Sequence, residues 1–217
     1  AFDSALLAPL FIALSLSYGL AVFLLVLMLA FQGSGRALDT ALLARFARLQ
    51  VIFVAAGLYF VLVYHLTNLY FTKHHDFERF ILLEGGVHTA LFWLGQVLLG
   101  GIVPMALLLH PRIGELRGRI TAATLLVVGG GFAQMWVTIV SGQAFPLVMF
   151  PGRQVSSSFH DGVVNAYTPT LPEWLLGFGG VAIAGLIVML ALKFLAFLPA
   201  HLDGAETARG RPAAAAA

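Results

Sequence analysis

No cysteine occurs anywhere in the 217 residues. That excludes disulfides, thiolate zinc sites and any iron–sulfur cluster held by this chain. Charge is the second shortage. Asp, Glu, Lys and Arg make up 10% of the sequence, against roughly 25% in soluble domains. So little charge cannot clothe a water-facing surface. The net charge of +2 does not point to nucleic acid, because the basic residues are few, scattered and confined to short loops. Also missing are a Ser-His-Asp order, a metalloprotease helix, a phosphate-cradling glycine loop between strand and helix, and the alternation of a membrane β-strand.

What the chain does have is long uncharged stretches. Five windows carry no Asp, Glu, Lys or Arg: 5–32, 49–72, 85–110, 120–152 and 174–192. A spanning helix needs about 20 mostly apolar residues. Inside lipid the backbone must satisfy its own hydrogen bonds, so such windows are helices. The expected fold is all-α, a polytopic membrane bundle of about five transmembrane helices over residues 1–200. The helices are expected near 5–32, 49–72, 85–110, 120–144 and 173–198. Residues 201–217, rich in Ala, Gly and Pro, read as a disordered cytoplasmic tail.

Basic residues give the orientation. The first and third loops and the segment after the fifth helix hold Arg36, Arg45, Arg48, Arg112, Arg117, Arg119, Lys193, Arg209 and Arg211. The other side holds Lys73, Arg79 and Arg153. The basic side faces the cytoplasm by the positive-inside rule, so the N-terminus is expected outside and the C-terminus inside. The chain opens at Ala1 without a signal-peptide pattern. An outside start suits a chain that continues from an odd-numbered set of helices. The expectation is the C-terminal part of a larger protein, or one piece of a split one.

Polar side chains in membrane segments cost energy and are functional candidates by default. Tyr64 and His65 lie in the second window, followed by Asn68. At a rise of about 1.5 Å per residue, His65 sits roughly 10 Å below the outer end of its helix near Thr72. Glu84 and His88 open the third helix, four apart and therefore expected on one face, with Gln96 near the same stripe. The run Lys73-His74-His75-Asp76-Phe77-Glu78-Arg79 connects the two helices. Three readings compete for this cluster. One is a quinol site, in which an imidazole or carboxylate binds a quinone oxygen and exchanges protons with the outer aqueous phase. Another is a b-type haem held by His65 and His88, for which matched glycines are lacking. In the third, these residues only hydrogen-bond neighbouring helices.

The last loop carries Ser156-Ser157-Ser158-Phe159-His160-Asp161-Gly162 and then Tyr167-Thr168-Pro169-Thr170-Leu171-Pro172-Glu173-Trp174. Pro172 and Glu173 suit a first helical turn capped by Thr170. Tyr167 and Trp174 suit interface anchors. His160 and Asp161 are candidates for proton relay. Gly95, Gly100, Gly129 to Gly131, Gly177, Gly179 and Gly180 are expected to let helices approach closely. Pro104 is expected to kink the third helix.

These motifs, in this order, resemble the NrfD/polysulfide-reductase type of membrane subunit, in its C-terminal half, and look closest to its DsrP and HybB branches. The resemblance rests on Ser4-Ala5-Leu6-Leu7-Ala8-Pro9-Leu10-Phe11 with Ser17-Tyr18-Gly19, on Asn68-Leu69-Tyr70 with His74-His75, and on Phe92-Trp93 with Pro104 through Pro111. The most specific match is Tyr167-Thr168-Pro169-Thr170 through Glu173, with Leu198-Pro199 closing the last helix. It runs from Phe2 to about Leu198.

The resemblance implies a quinone-interacting membrane anchor of a multisubunit respiratory or sulfur-metabolism oxidoreductase. Such a subunit passes electrons between a pool of menaquinone or ubiquinone and a partner iron–sulfur subunit, beside a catalytic redox subunit. It implies a multi-pass protein of the bacterial inner membrane, with the N-terminal half of the same subunit as a further partner and no nucleic acid. The family's best-known quinone residues lie in its N-terminal bundle, so the alternative is an assembly or proton-conducting module. A haem cytochrome is a further one.

Overall fold

The computed structural model describes residues 4–110, 116–146 and 162–195. Among them there is no strand, and five helices are long and apolar enough to cross a membrane. They are α1 (Leu7–Gly33), α2 (Thr40–Tyr70), α4 (Val87–Leu109), α5 (Leu116–Ala144) and α6 (Leu171–Phe194). A short helix, α3 (His75–Arg79), stands between α2 and α4 and runs on as a π-helical turn over Phe80–Glu84. The chain is a multi-pass, all-α membrane protein. His160, Asp161 and the tail at 201–217 lie outside the described residues.

α2 begins nine residues before the uncharged window that announced it. Asp39 accepts a hydrogen bond from the Ala41 amide at 2.9 Å, which caps the first turn. Arg45 and Arg48 therefore ride on helix rather than loop, as long side chains near a membrane boundary can.

Two compact units are distinguished. The first takes Ala1–Leu25 and Phe46–Tyr167. Its core includes Leu10, Leu14, Val61, Tyr64, Ile81 and Phe92. Between helices in lipid there is no water to expel, so close van der Waals contact and buried polar bonds carry the packing. Gly100 of α4 and Gly130 of α5 meet backbone to backbone. A Cβ placed on Gly130 would fall 2.2 Å from the Gly100 Cα. Gly95 against Ala133 and Gly101 against Leu58 are similarly tight. Buried Gln50 donates to the Ser17 carbonyl at 3.1 Å, tying α2 to α1. Gly129, Gly177, Gly179 and Gly180, expected to serve the same end, have nothing within 4 Å of an added Cβ.

Both α4 and α5 widen along their length. α4 is π-helical over Leu91–Ile102 and α5 over Trp136–Val140. The wide stretch of α4 gives way to α-helix at Val103, one residue before buried Pro104. Proline has no N–H to offer and its ring crowds the carbonyl four residues earlier. A change of hydrogen-bond register just before it accommodates both facts.

The second unit takes Val26–Arg45 and Thr168–Ala217. Within it α1 ends with the Arg36 amide bonded to the Phe31 carbonyl, and Gly35 sits at φ +64°. That left-handed turn is the usual way to end a helix. α6 starts at Thr170, whose amide donates to the Glu173 carboxylate at 2.6 Å. This closes the first turn in the manner of a capping box. α6 is apolar all round and none of its residues is buried.

Candidate functional site

The site grows from the link between α2 and α4. In sequence this link is a charged run and reads as solvated loop. In the structure it is a short run of helical turns that points one carboxylate inward. Glu78 on α3 is fully buried. Nδ1 of His65 donates to its Oε2 at 2.6 Å, and Nδ2 of Asn68 donates to its Oε1 at 2.8 Å. His65 and Asn68 are three apart on α2, hence on one face. The buried carboxylate thus has a partner on each oxygen, which is what burial of a charge-bearing group demands. The Phe92 ring stands edge-on to the His65 imidazole at 4.7 Å, and Tyr64 flanks it at 5.2 Å.

Sequence reasoning missed Glu78. Its signal was slight: apolar Phe77, Phe80 and Ile81 surround it at helical spacing. The neighbouring charges hid that spacing. His74 and His75 stay on the connection, with His75 Nε2 donating to the Leu69 carbonyl at 2.7 Å.

Glu84 and His88 do not stack as expected. The π-helical turn ends at Gly85, and Gly86 takes φ +56° with ψ −107°, a conformation open to glycine. α4 starts afresh at Val87. Glu84 is left exposed and paired with exposed Arg79 at 2.7 Å. The Thr89 hydroxyl bridges the break, accepting from the Gly85 amide at 2.9 Å and donating to the Phe80 carbonyl at 3.1 Å.

His88 faces α5 instead. Its Nδ1 lies 2.6 Å from the Ser141 Oγ. Its ring packs at 5.3 Å on Phe80, which in turn packs on Phe145 at 5.4 Å. These rings and Glu84, Gly86 and Asn165 border an open groove of about 710 Å³.

A second, closed space lies beside His65. It measures about 30 Å³ and is bordered by Tyr64, His65, Gln96, Gln134 and Thr138 among apolar neighbours. Room for one or two waters is far short of a porphyrin edge or a quinone ring. Among the described residues, no group of three or more His, Asp or Glu could hold a metal ion.

Comparison with known proteins gives the family. Residues 1–147 match the family described as Polysulphide reductase, NrfD. The Hdr-like menaquinol oxidoreductase integral membrane subunit of Archaeoglobus fulgidus is 31% identical, over 91% of this chain and 50% of that protein. The putative membrane C-subunit of a dimethyl sulfoxide reductase from Halobacterium salinarum is 29% identical, over 95% and 49%. The C-subunit of the selenate reductase of Mesobacillus selenatarsenatis is 25% identical, over 77% and 37%. No solved structure matches. The chain spans about half the length of the first two of these relatives. With two thirds of its residues inside the matched region, it belongs to the NrfD polysulphide reductase family of membrane proteins.

Proposed function

We propose that this chain is part of a quinone-interacting membrane anchor in a multisubunit oxidoreductase. It exchanges electrons between the quinone pool and a partner iron–sulfur subunit that serves a catalytic redox subunit. The observation that carries the reading is family membership together with a relative named for menaquinol oxidation. The remaining helices of the same subunit would complete it. The bacterial inner membrane, with the arginine-rich loops inside, suits the charge pattern.

The groove at the start of α4 fits a quinone head better than the space beside His65. About 710 Å³ accommodates a substituted ring, and Phe80 and Phe145 offer aromatic faces to it. When bound there, a quinone supplies the two-electron, two-proton couple. The chain's own contribution is to position and to move protons. The Ser141 hydroxyl reaches the Trp136 carbonyl at 3.5 Å and so presents its oxygen to His88. With Nδ1–H of His88 donating to that oxygen, Nε2 is left as an acceptor for a hydroxyl proton of a quinol. Glu84 and Arg79 stand at the rim. Tyr64 and His65 lie apart from the groove, against the smaller space.

The test uses the complex purified with its partners. A quinol analogue should reduce the clusters of the co-purifying subunit, and His88→Ala should abolish that reduction with assembly intact. Unchanged cluster reduction in His88→Ala removes the groove from the mechanism. Reduced b-type bands that track this chain would replace the reading with a cytochrome.

A further inference from the structure

We propose that His65 and Glu78, with water in the adjoining closed space, form a buried proton-exchange site distinct from the quinone groove. This goes beyond the quinone reading and does not depend on it.

Three observations meet here. The first is a fully buried carboxylate bonded to an imidazole at 2.6 Å. The second is the closed space of about 30 Å³ on which that imidazole borders. The third is a pair of amide oxygens without partners. Gln96 is 6% exposed and Gln134 is 4% exposed. Both border the space, and neither Oε1 meets a hydrogen-bonding group among the described residues. The Gln134 amide nitrogen is already used, donating to the Thr138 hydroxyl at 2.7 Å. A buried carbonyl oxygen left alone is costly. A space of this size, lined by several polar groups, is what an internal water requires. Such a water gives one hydrogen to an amide oxygen and turns the other toward Nε2 of His65.

The arrangement moves a proton without moving a side chain. Nδ1–H of His65 points at Oε2 of Glu78, so Nε2 is the ring nitrogen left for water. A water carrying an excess proton hands it to Nε2 and is left as neutral water, as the proton on Nδ1 passes to Oε2. The imidazole ends as its other tautomer and the carboxylate as a neutral acid. One proton has entered and none is lost. The pair then has no net charge. Asn68 holds the second oxygen throughout.

Among the described residues, most of the groups around the space carry no charge. α1 brings Leu7 and Leu10 to the space, α4 brings Gln96, and α5 brings Gln134, Val137 and Thr138. α3 presents Phe77 beside Glu78, and Phe92 covers the imidazole. Apart from His65, the titratable group on the wall is Tyr64 of α2, with Glu78 behind the imidazole.

Infrared difference spectroscopy on the purified complex, stepped in pH without any quinol, tests the site. Wild type should show a protonated-carboxyl C=O band that shifts in D₂O. Glu78→Gln should lose that band. Gln134→Leu leaves the pair intact but dries the space, and should slow H/D exchange of the band about tenfold, the equivalent of one lost hydrogen bond. A band unchanged in Glu78→Gln overturns the proposal, as does wild-type exchange in Gln134→Leu. Should Glu78→Gln fail to assemble, the Gln134→Leu exchange rate decides alone. Quinol-driven cluster reduction is followed on the same samples. Its loss in His88→Ala, with the carboxyl band retained, supports both proposals as separate sites. Its persistence there removes the groove from quinol oxidation and leaves the proton-exchange site untouched.

Discussion

The carboxylate of Glu78 reaches back 13 residues to the imidazole of His65 and closes a link that the sequence presents as a charged loop. Two helices are fastened by this contact, since Asn68 joins on the second oxygen. A fully buried acid with two donors is an all-or-nothing arrangement. Removing any member strands the others.

Glu78→Ala should therefore be expensive. It leaves the His65 and Asn68 donors buried without an acceptor, at a cost of about 3 kcal/mol. Glu78→Gln keeps an oxygen for Asn68 and should cost less than half as much. The thermal midpoint of the detergent-solubilised complex ranks the two. Equal midpoints would contradict the account.

Gly130 and Gly129 are adjacent yet should respond in opposite ways. A methyl on Gly130 collides with the Gly100 backbone, whereas one on Gly129 meets open space. Gly130→Ala should destabilise by about 1–3 kcal/mol through overpacking. Gly129→Ala should be neutral or slightly stabilising, because alanine favours helix. Folded yield and thermal midpoint of the two variants give the comparison.

Ser141→Ala should disturb quinol use without removing a proton acceptor. The His88 ring loses its hydrogen bond to Oγ, worth about 1 kcal/mol. The expected result is a KM for a quinol analogue raised several-fold with kcat largely kept. A collapse of kcat at unchanged KM would assign Ser141 a direct part in proton transfer.

Glu84→Ala and Arg79→Ala should each be nearly silent in stability, within about 0.5 kcal/mol. Their ion pair is short, but 67% and 56% of the two side chains is exposed. Weakening of the complex by salt to the same degree in both variants and wild type would agree. A stability loss well above that figure would mean that the pair meets another subunit.

The membrane fold was legible because charge is excluded from lipid, and gaps between charged residues mark the spans directly. The start of α2 was not, since Arg45 and Arg48 close the window although their helix continues to Asp39. At the site, His65 and His88 stood out as polar residues in apolar runs. Glu78 did not, because a carboxylate among Lys73, His74, His75, Asp76 and Arg79 looks solvated whichever way the backbone turns. The stacking of Glu84 on His88 failed for a local reason. Residue spacing assumes one continuous helix, and Gly85-Gly86 interrupts it. Gln96, Gln134 and Ser141 each hint at burial singly, but only the antiparallel course of α4 and α5 brings them to common ground.

That antiparallel course also acts as a ruler. Going up α4 from His88 through Gln96 to Gly100 is matched, rung by rung, by going down α5 from Ser141 through Gln134 to Gly130. The two proposed sites and the Gly100–Gly130 contact are graduations on one scale. Deleting a single residue between Leu91 and Leu94 would slide and turn the part of that scale before it. With Gly100 held against Gly130, His88 would then part from Ser141 while Gln96 kept its place. Insertions and deletions in this seam are thus a sharper probe of the protein than most substitutions, for they shift one site against another.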